Sequence, residues 1–194
     1  MRIEYFRGQE IERLIPDLAK LRITVFYDFP YLYEGSHKYE ENYLKIYTQS
    51  KRSICVAAFD QDKLVGAATA IPLVDENDYV KEPFLKANLK LEDIYYFGES
   101  ILLKEYRGKG IGHEFFNGRE ESAAAFGFKT CVFCAVQRGA DHPLRPKDYR
   151  PLDEFWMKRG YEKRVDLESE FSWPDIGQEQ ESKKKMTYWM RHLC

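Results

Sequence analysis

The residues best suited to chemistry lie between positions 105 and 113, EYRGKGIGH. Gly108, Gly110 and Gly112 alternate with Lys109 and Ile111, and Arg107 and His113 flank them. A strand-like apolar run at 100–103 precedes this stretch and an amphipathic run follows it. A helix N-terminus presents unpaired N–H groups and the positive end of the helix dipole. Glycines there remove the Cβ atoms that would block an anion, and they permit the positive φ angles that aim successive N–H groups inward. Arg107 and Lys109 add formal charge. The combination reads as a cradle for phosphate or pyrophosphate, and a glycine-softened turn without a ligand is the plainer alternative. The spacing is not that of a Walker loop. It also departs from the G-x-G-x-x-G of a dinucleotide fold, which would follow the first βα turn.

Other reactive residues carry weaker signals. The cysteines are Cys55, Cys131, Cys134 and Cys194, too sparse for a disulfide framework. CVFC at 131–134 sits in a strand-like run, where positions three apart face opposite sides, so two reduced thiols are expected rather than a metal or redox pair. The histidines are scattered, and no metal site is expected. His113 stands at the helix start, where contact with phosphate and exposure to solvent are equally open.

The composition bounds what surrounds the cradle. The chain has 194 residues, 44% hydrophobic, with a formal net charge of -2. That length suits one domain, 1–194, with a sizeable core. The charge supplies no bulk basic field for nucleic acid or an anionic membrane. No long apolar run occurs and the N-terminus has no signal-peptide core, so a soluble, cytoplasmic protein is expected.

The elements that must position the cradle follow from periodicity. RIEYFRG reads as a short strand. Apolar residues then recur from Ile11 through Leu14, Ile15, Leu18, Leu21, Val25 and Phe26, a helical stripe ended by Phe29-Pro30. An aromatic loop, YLYEGS, leads to a second helix with Tyr39, Tyr43 and Tyr47 every four residues. SICVAAFD and LVGAATAIPL read as a hairpin, and residues 74–93 as a loop with a short helix. IYYFGESILL is the strand before the cradle. Ile111, Phe115, Ser122 and Phe126 mark the helix after it, with Gly127 as its stop, and KTCVFCAV is the next strand. An irregular connection at 137–151, a short helix ending at Gly160 and two late strands near 162–171 and 184–192 complete the chain. The late strands flank a polar loop expected to hold Trp173-Pro174 and Gly177. The fold class is α/β: a mixed β-sheet flanked by helices.

LLKEYRGKGIGHEFF resembles the acetyl-CoA motif of the GNAT superfamily of N-acetyltransferases, with Arg107, Gly110 and Gly112 in the matching positions. FWMKRGY at 155–161 is similar to the family's late aromatic helix end. The resemblance implies a central sheet that splays open, with acetyl-CoA in the splay as cosubstrate and no metal. It implies that backbone amides near Ile101, Leu102 and Leu103 hold the acetyl carbonyl and pantetheine arm. Amides of Arg107, Gly108, Lys109, Gly110, Ile111, Gly112 and His113 would hold the pyrophosphate. Glu99, on the strand just before the acetyl position, is the expected base. The family's usual tyrosine acid falls at Trp156, which has no acidic O–H, and Tyr149 is the replacement candidate. Cys134 is expected on the strand opposite Glu99, as an inert thiol in preference to an acetyl-enzyme nucleophile.

The acceptor site is expected from the first two helices, the 74–93 insertion and the 137–151 loop. Phe29, Tyr31 and Tyr33, with Asp28 and Glu34, offer an aromatic and acidic wall for an amine, or a packing loop that anchors two helices. Arg138, Arg145, Lys147 and Arg150 pull the other way, toward an acceptor carrying carboxylate or phosphate. The implied activity is acetyl transfer from acetyl-CoA to a primary amine, small-molecule or peptide, by direct attack in a ternary complex. The alternatives are a non-catalytic CoA-binding or regulatory module that has lost the tyrosine acid, and a nucleotide-binding protein unrelated to CoA. MTYWMRHL near the C-terminus is an expected edge for pairing with a second copy.

Overall fold

The computed structural model describes residues 1–193; Cys194 lies outside the described residues. One seven-stranded sheet runs in the order β1-β2-β3-β4-β5-β7-β6. Its strands are β1 (Arg2–Arg7), β2 (Ile54–Asp60), β3 (Lys63–Pro72), β4 (Ile94–Leu102), β5 (Thr130–Val136), β6 (Glu162–Pro174) and β7 (Glu181–His192). All neighbours are antiparallel except β4 and β5. That parallel pair is joined by a helical crossover, as a parallel connection requires.

The helices are α1 (Ile15–Phe26), α2 (His37–Gln49), α3 (Asp78–Lys86), α4 (Ile111–Ala125) and α5 (Asp153–Lys158). Ile11 and Leu14 belong to a 3-10 turn, Gly8–Leu14. Pro16 opens α1 in the first turn, where its missing N–H is no loss. Ser36 caps α2 by accepting from the Tyr39 N–H. The expected aromatic stripe on α2 is displaced by one position at its start. Glu40, Leu44 and Tyr47 are the buried residues, and Tyr39 is exposed.

The sheet has a core on each face. On one face Leu18, Leu21, Leu44, Tyr47 and Phe84 pack under α1, α2 and α3. On the other, Ile111, Phe115, Phe116, Tyr161 and Trp189 pack under α4 and α5. The CVFC cysteines divide between them as strand geometry requires: Cys131 joins the second core, and Cys134 packs against the first.

Two late-chain expectations are corrected. Trp173 and Pro174 are the end of β6, not part of a loop, because β6 pairs with β7 out to Pro174↔Glu181. β7 is an interior strand, bonded to β5 on one side and β6 on the other, with Met186 through Met190 buried. MTYWMRHL therefore has no free edge through which a second copy could pair. The apolar character that suggested an edge reflects burial on both faces.

Candidate active site

Two local distortions create the site. The first is a separation of the parallel strands. β4 and β5 pair only at Ile94↔Thr130, Tyr95↔Cys131 and Tyr96↔Val132. Beyond Tyr96 and Val132 the ladder stops, while both strands continue to Leu102 and Val136. The expected splay lies there.

The second is a bulge. β3 and β4 pair at Ala68↔Ser100 and again at Ala70↔Phe97, so β4 carries one extra residue across the step. Gly98 and Glu99 occupy it, and both face the α1/α2 side. A Cβ on Gly98 would overlap the Tyr47 hydroxyl and approach Thr69 Oγ1, which is why this position is glycine.

Glu99 is buried, and both of its carboxylate oxygens are engaged. Oε1 accepts from Arg22 Nη1 and Oε2 accepts from the Thr69 hydroxyl, while the Glu99 N–H donates to Thr69 Oγ1 at 3.0 Å. Arg22 also pairs through Nε with Glu40, whose other oxygen accepts from Tyr33 Oη at 2.7 Å. Burial opposes charge on Arg22, but Glu99 and Glu40 more than offset it and hold the guanidinium above its ordinary pKa. On the opposite face Arg119 of α4 donates to the carbonyls of Thr69 (3.4 Å) and Glu99 (3.2 Å) and to Ser100 Oγ (2.8 Å). The bulge is thus clamped by one buried arginine from each side. Burial drives the Arg119 pKa down to about 10.

The glycine loop opens beside the splay. Gly108 (φ 75°) and Gly110 (φ 83°) are left-handed, the conformation that selects glycine. Gly110 is the N-cap of α4; Gly112 lies inside the first helical turn, where nothing demands a glycine backbone. The outer amides of the expected cradle are spent within the protein. The Arg107 N–H donates to Lys104 O at 3.2 Å, and the His113 N–H to Gly110 O at 2.9 Å. Among the described residues the amides of Gly108 through Gly112 have no protein acceptor outside regular helix bonding, and a Cβ at Gly108 or Gly110 would meet open space. This concave run of donors fits a pyrophosphate.

The flanking side chains are more committed. Arg107 donates to Leu102 O at 3.1 Å and approaches Asp28 at 3.8 Å. His113 bridges to Arg159 (3.2 Å) and packs on Phe155. Leu103 donates its N–H to Val65 O of β3 at 3.0 Å. By strand alternation Ile101 also faces β3, so within 101–103 Leu102 turns its backbone groups to the splay.

The aromatic loop lies at the far side of the splay. Phe29 packs edge-on against Tyr149 with ring centroids 4.7 Å apart, and Tyr31 stacks on Trp173 at 5.9 Å. Burial raises the Tyr31 pKa, with Cys134, Arg22, Glu99 and Tyr149 its next strongest electrostatic neighbours. Phe29, Tyr31, Tyr33, Tyr149 and Glu99 therefore converge on one region. Arg138 is not free for an acidic acceptor: it holds Asp175 at 2.8 Å and the carbonyls of Pro30 and Tyr31 at 2.9 Å each. Trp156 packs on Phe133 and Trp189, at 5.0 Å and 5.1 Å, as part of the second core. Cys134 Sγ lies 3.2 Å from Tyr96 Oη, and burial pushes its thiol up to about 12.

Sequence reasoning missed Arg22, Glu40, Thr69, Glu76 and Arg119. Three of these had a readable signal. Arg22 falls four residues after Leu18, Glu40 four before Leu44 and Arg119 four after Phe115, each a charged residue on an apolar helix face.

The splayed mixed sheet, with the glycine loop at its mouth, has the architecture of an acyltransferase fold. A family model for the acetyltransferase (GNAT) family matches residues 19–146. The chain belongs to that family. Similar solved structures include a ribosomal-protein-alanine N-acetyltransferase from Brucella melitensis (TM-score 0.64, 11% identity, 100% of both chains). An aminoglycoside 6'-N-acetyltransferase complexed with coenzyme A is also similar (TM-score 0.59, 19% identity, 99% of this chain and 97% of that one). So is Arabidopsis thaliana NAA60 in complex with a bisubstrate analogue (TM-score 0.61, 12% identity, 100% of both chains). No curated protein matches the sequence. At these identities the structural likeness concerns the fold. Among the described residues no helix is long and apolar enough to cross a membrane, and no group of three or more His, Cys, Asp or Glu side chains is arranged to hold a metal.

Proposed function

We propose that the chain, as one N-acetyltransferase domain in the cytoplasm, transfers an acetyl group from acetyl-CoA to a primary amine by direct attack in a ternary complex. The observation that carries this is the break in β4–β5 pairing after Tyr96 and Val132, with the open amides of Gly108–Gly112 beside it. Acetyl-CoA supplies the activated thioester. The Gly108–Gly112 amides hold its pyrophosphate, between Arg107 and His113, and the backbone of Leu102, between Ile101 and Leu103, holds its arm. Phe29, Tyr31 and Tyr33 form one wall of the acceptor site. Glu99, fixed by Arg22 and Thr69, places negative charge at the reacting end. Tyr149 is the candidate acid because its ring packs on Phe29 of the acceptor wall; burial raises its pKa, so the hydroxyl is protonated but is a weaker donor than a free tyrosine. The raised Cys134 thiol favours direct transfer over an acetyl-cysteine intermediate.

A panel of amines assayed for CoA thiol release tests the reading. Turnover with any primary amine supports it. CoA binding without turnover would instead support a non-catalytic module, a reading favoured by Trp156 standing where the family's tyrosine is expected.

A further inference from the structure

Glu76 lies two residues before α3, next to its N-cap Asn77, and is 3% exposed. Its Oε2 accepts from the Asn77 N–H at 2.9 Å and from Asn77 Nδ2 at 3.4 Å, and its Oε1 has no partner among the described residues. The Tyr47 hydroxyl, on the same face of the sheet, is likewise buried without a partner, against Gly98 of the bulge. A buried carboxylate that leaves half its accepting capacity unused is costly unless a ligand supplies the donor. An alkylammonium supplies three N–H donors and the matching charge.

Asn77 and Tyr79, neighbours of Glu76 in the chain, line a cleft of about 480 Å³ between α2 and α3, together with Tyr39, Tyr43 and Lys45; Glu76 lies buried behind Asn77. Tyrosine ring faces favour cations.

We propose that Glu76 receives the ammonium group of the acceptor and takes its proton, and that the acceptor is a cationic amine entering by the α2/α3 cleft. This rests on the acetyltransferase reading and deepens it. Glu99 is the less available carboxylate, because Arg22 and Thr69 occupy both its oxygens. The amine nitrogen gives one proton to Glu76 Oε1. It then forms its bond to the thioester carbonyl carbon as the carbon–sulfur bond breaks; Tyr149 gives its proton to the leaving thiolate, and the second amine proton replaces it. Amide and free thiol complete the balance, and Glu76 returns its proton to solvent.

The surroundings suit a proton acceptor near neutrality. Burial pushes the Glu76 pKa up to about 7, the Asn77 N–H opposes this and Glu99 adds to it. The titratable groups coupled electrostatically to Glu76 are Tyr43 and Tyr47 from α2, Tyr79 and Lys81 from α3, Tyr96 and Glu99 from β4, Cys134 from β5 and Tyr188 from β7. Burial raises all five tyrosines and the cysteine, so they stay protonated while Glu76 titrates.

The test is kcat/KM against pH for 1,4-diaminobutane and n-butylamine, on wild type and Glu76→Gln. Calorimetric affinity for acetyl-CoA and an infrared titration of the carboxyl band accompany it. Expected is a wild-type limb that rises through pH about 7 and a carboxyl band that titrates with it. Glu76→Gln loses both and about 100-fold or more in kcat/KM, with acetyl-CoA affinity unchanged. A wild type that turns over amines with no such limb, or a Glu76→Gln protein that keeps rate and limb, overturns the assignment alone. A wild type that neither binds acetyl-CoA nor releases thiol with any amine overturns the acetyltransferase reading together with it.

Discussion

Arg22 of α1 and Glu99 of β4 form an ion pair inside the protein, on the face of the sheet that α1 and α2 cover. The same guanidinium pairs with Glu40 of α2. One cation therefore ties two helices to the bulged strand, and it is the shared counter-charge of two buried carboxylates. Truncating it should leave both charges stranded. Arg22→Met is expected to cost about 3–5 kcal/mol of unfolding free energy, read by urea denaturation. A loss of about 1 kcal/mol or less, the scale of a surface pair, would contradict the clamp.

Glu76 predicts the sign of a pH effect on stability. Its folded pKa of about 7 lies above the ordinary value of 4.5, so the folded protein holds this proton more tightly than the unfolded chain. The resulting stability is fully present below pH 4.5 and is lost as pH rises through 7. Glu76→Gln removes the loss and should be more stable than wild type above pH 7 by about 3 kcal/mol. Denaturation at pH 5 and pH 8 checks this, and an equal pH dependence in both proteins contradicts it.

Gly110 and Gly112 of the loop should separate by backbone conformation. Gly110→Ala forces a Cβ into a left-handed residue and should cost about 1–2 kcal/mol. Gly112→Ala enters a helical turn, where its Cβ would meet only Phe155 at 3.8 Å, and should change stability by no more than about 0.5 kcal/mol. Thermal denaturation of the two variants decides; equal costs would remove the conformational argument.

Tyr149 and Cys134 divide the reaction schemes. Tyr149→Phe is expected to lower kcat about 100-fold with acetyl-CoA affinity unchanged. Cys134→Ala is expected to leave kcat within about threefold, since a thiol held near 12 is a poor nucleophile. Loss of all turnover in Cys134→Ala would point to a covalent acetyl intermediate instead.

Much of the frame was legible because periodicity and punctuation report local structure. Ser36, Gly127 and Gly160 each stand at or beside the helix end expected of them. The glycine loop between β4 and α4 was legible because its glycines lie close together in the chain. The parts that escaped are set by partners far along the chain. Whether the Leu103 amide is free depends on Val65, and whether Arg138 can meet a substrate depends on Asp175. The Glu99 carboxylate read as an available base because the arginine opposite it lies 77 residues away. β7 read as an edge because burial on both faces and an exposed apolar strand look alike in one dimension.

The central claim is that the Gly108–Gly112 amides hold the pyrophosphate of acetyl-CoA. Calorimetric titration of acetyl-CoA, with CoA, ATP and NAD as comparators, tests it most directly on wild type and Gly110→Asp. The account predicts that acetyl-CoA and CoA bind the wild type in preference to ATP and NAD, and that a folded Gly110→Asp protein binds neither, because a carboxylate then fills the anion's place. Absence of CoA binding by the wild type, or equal binding by the variant, would contradict it.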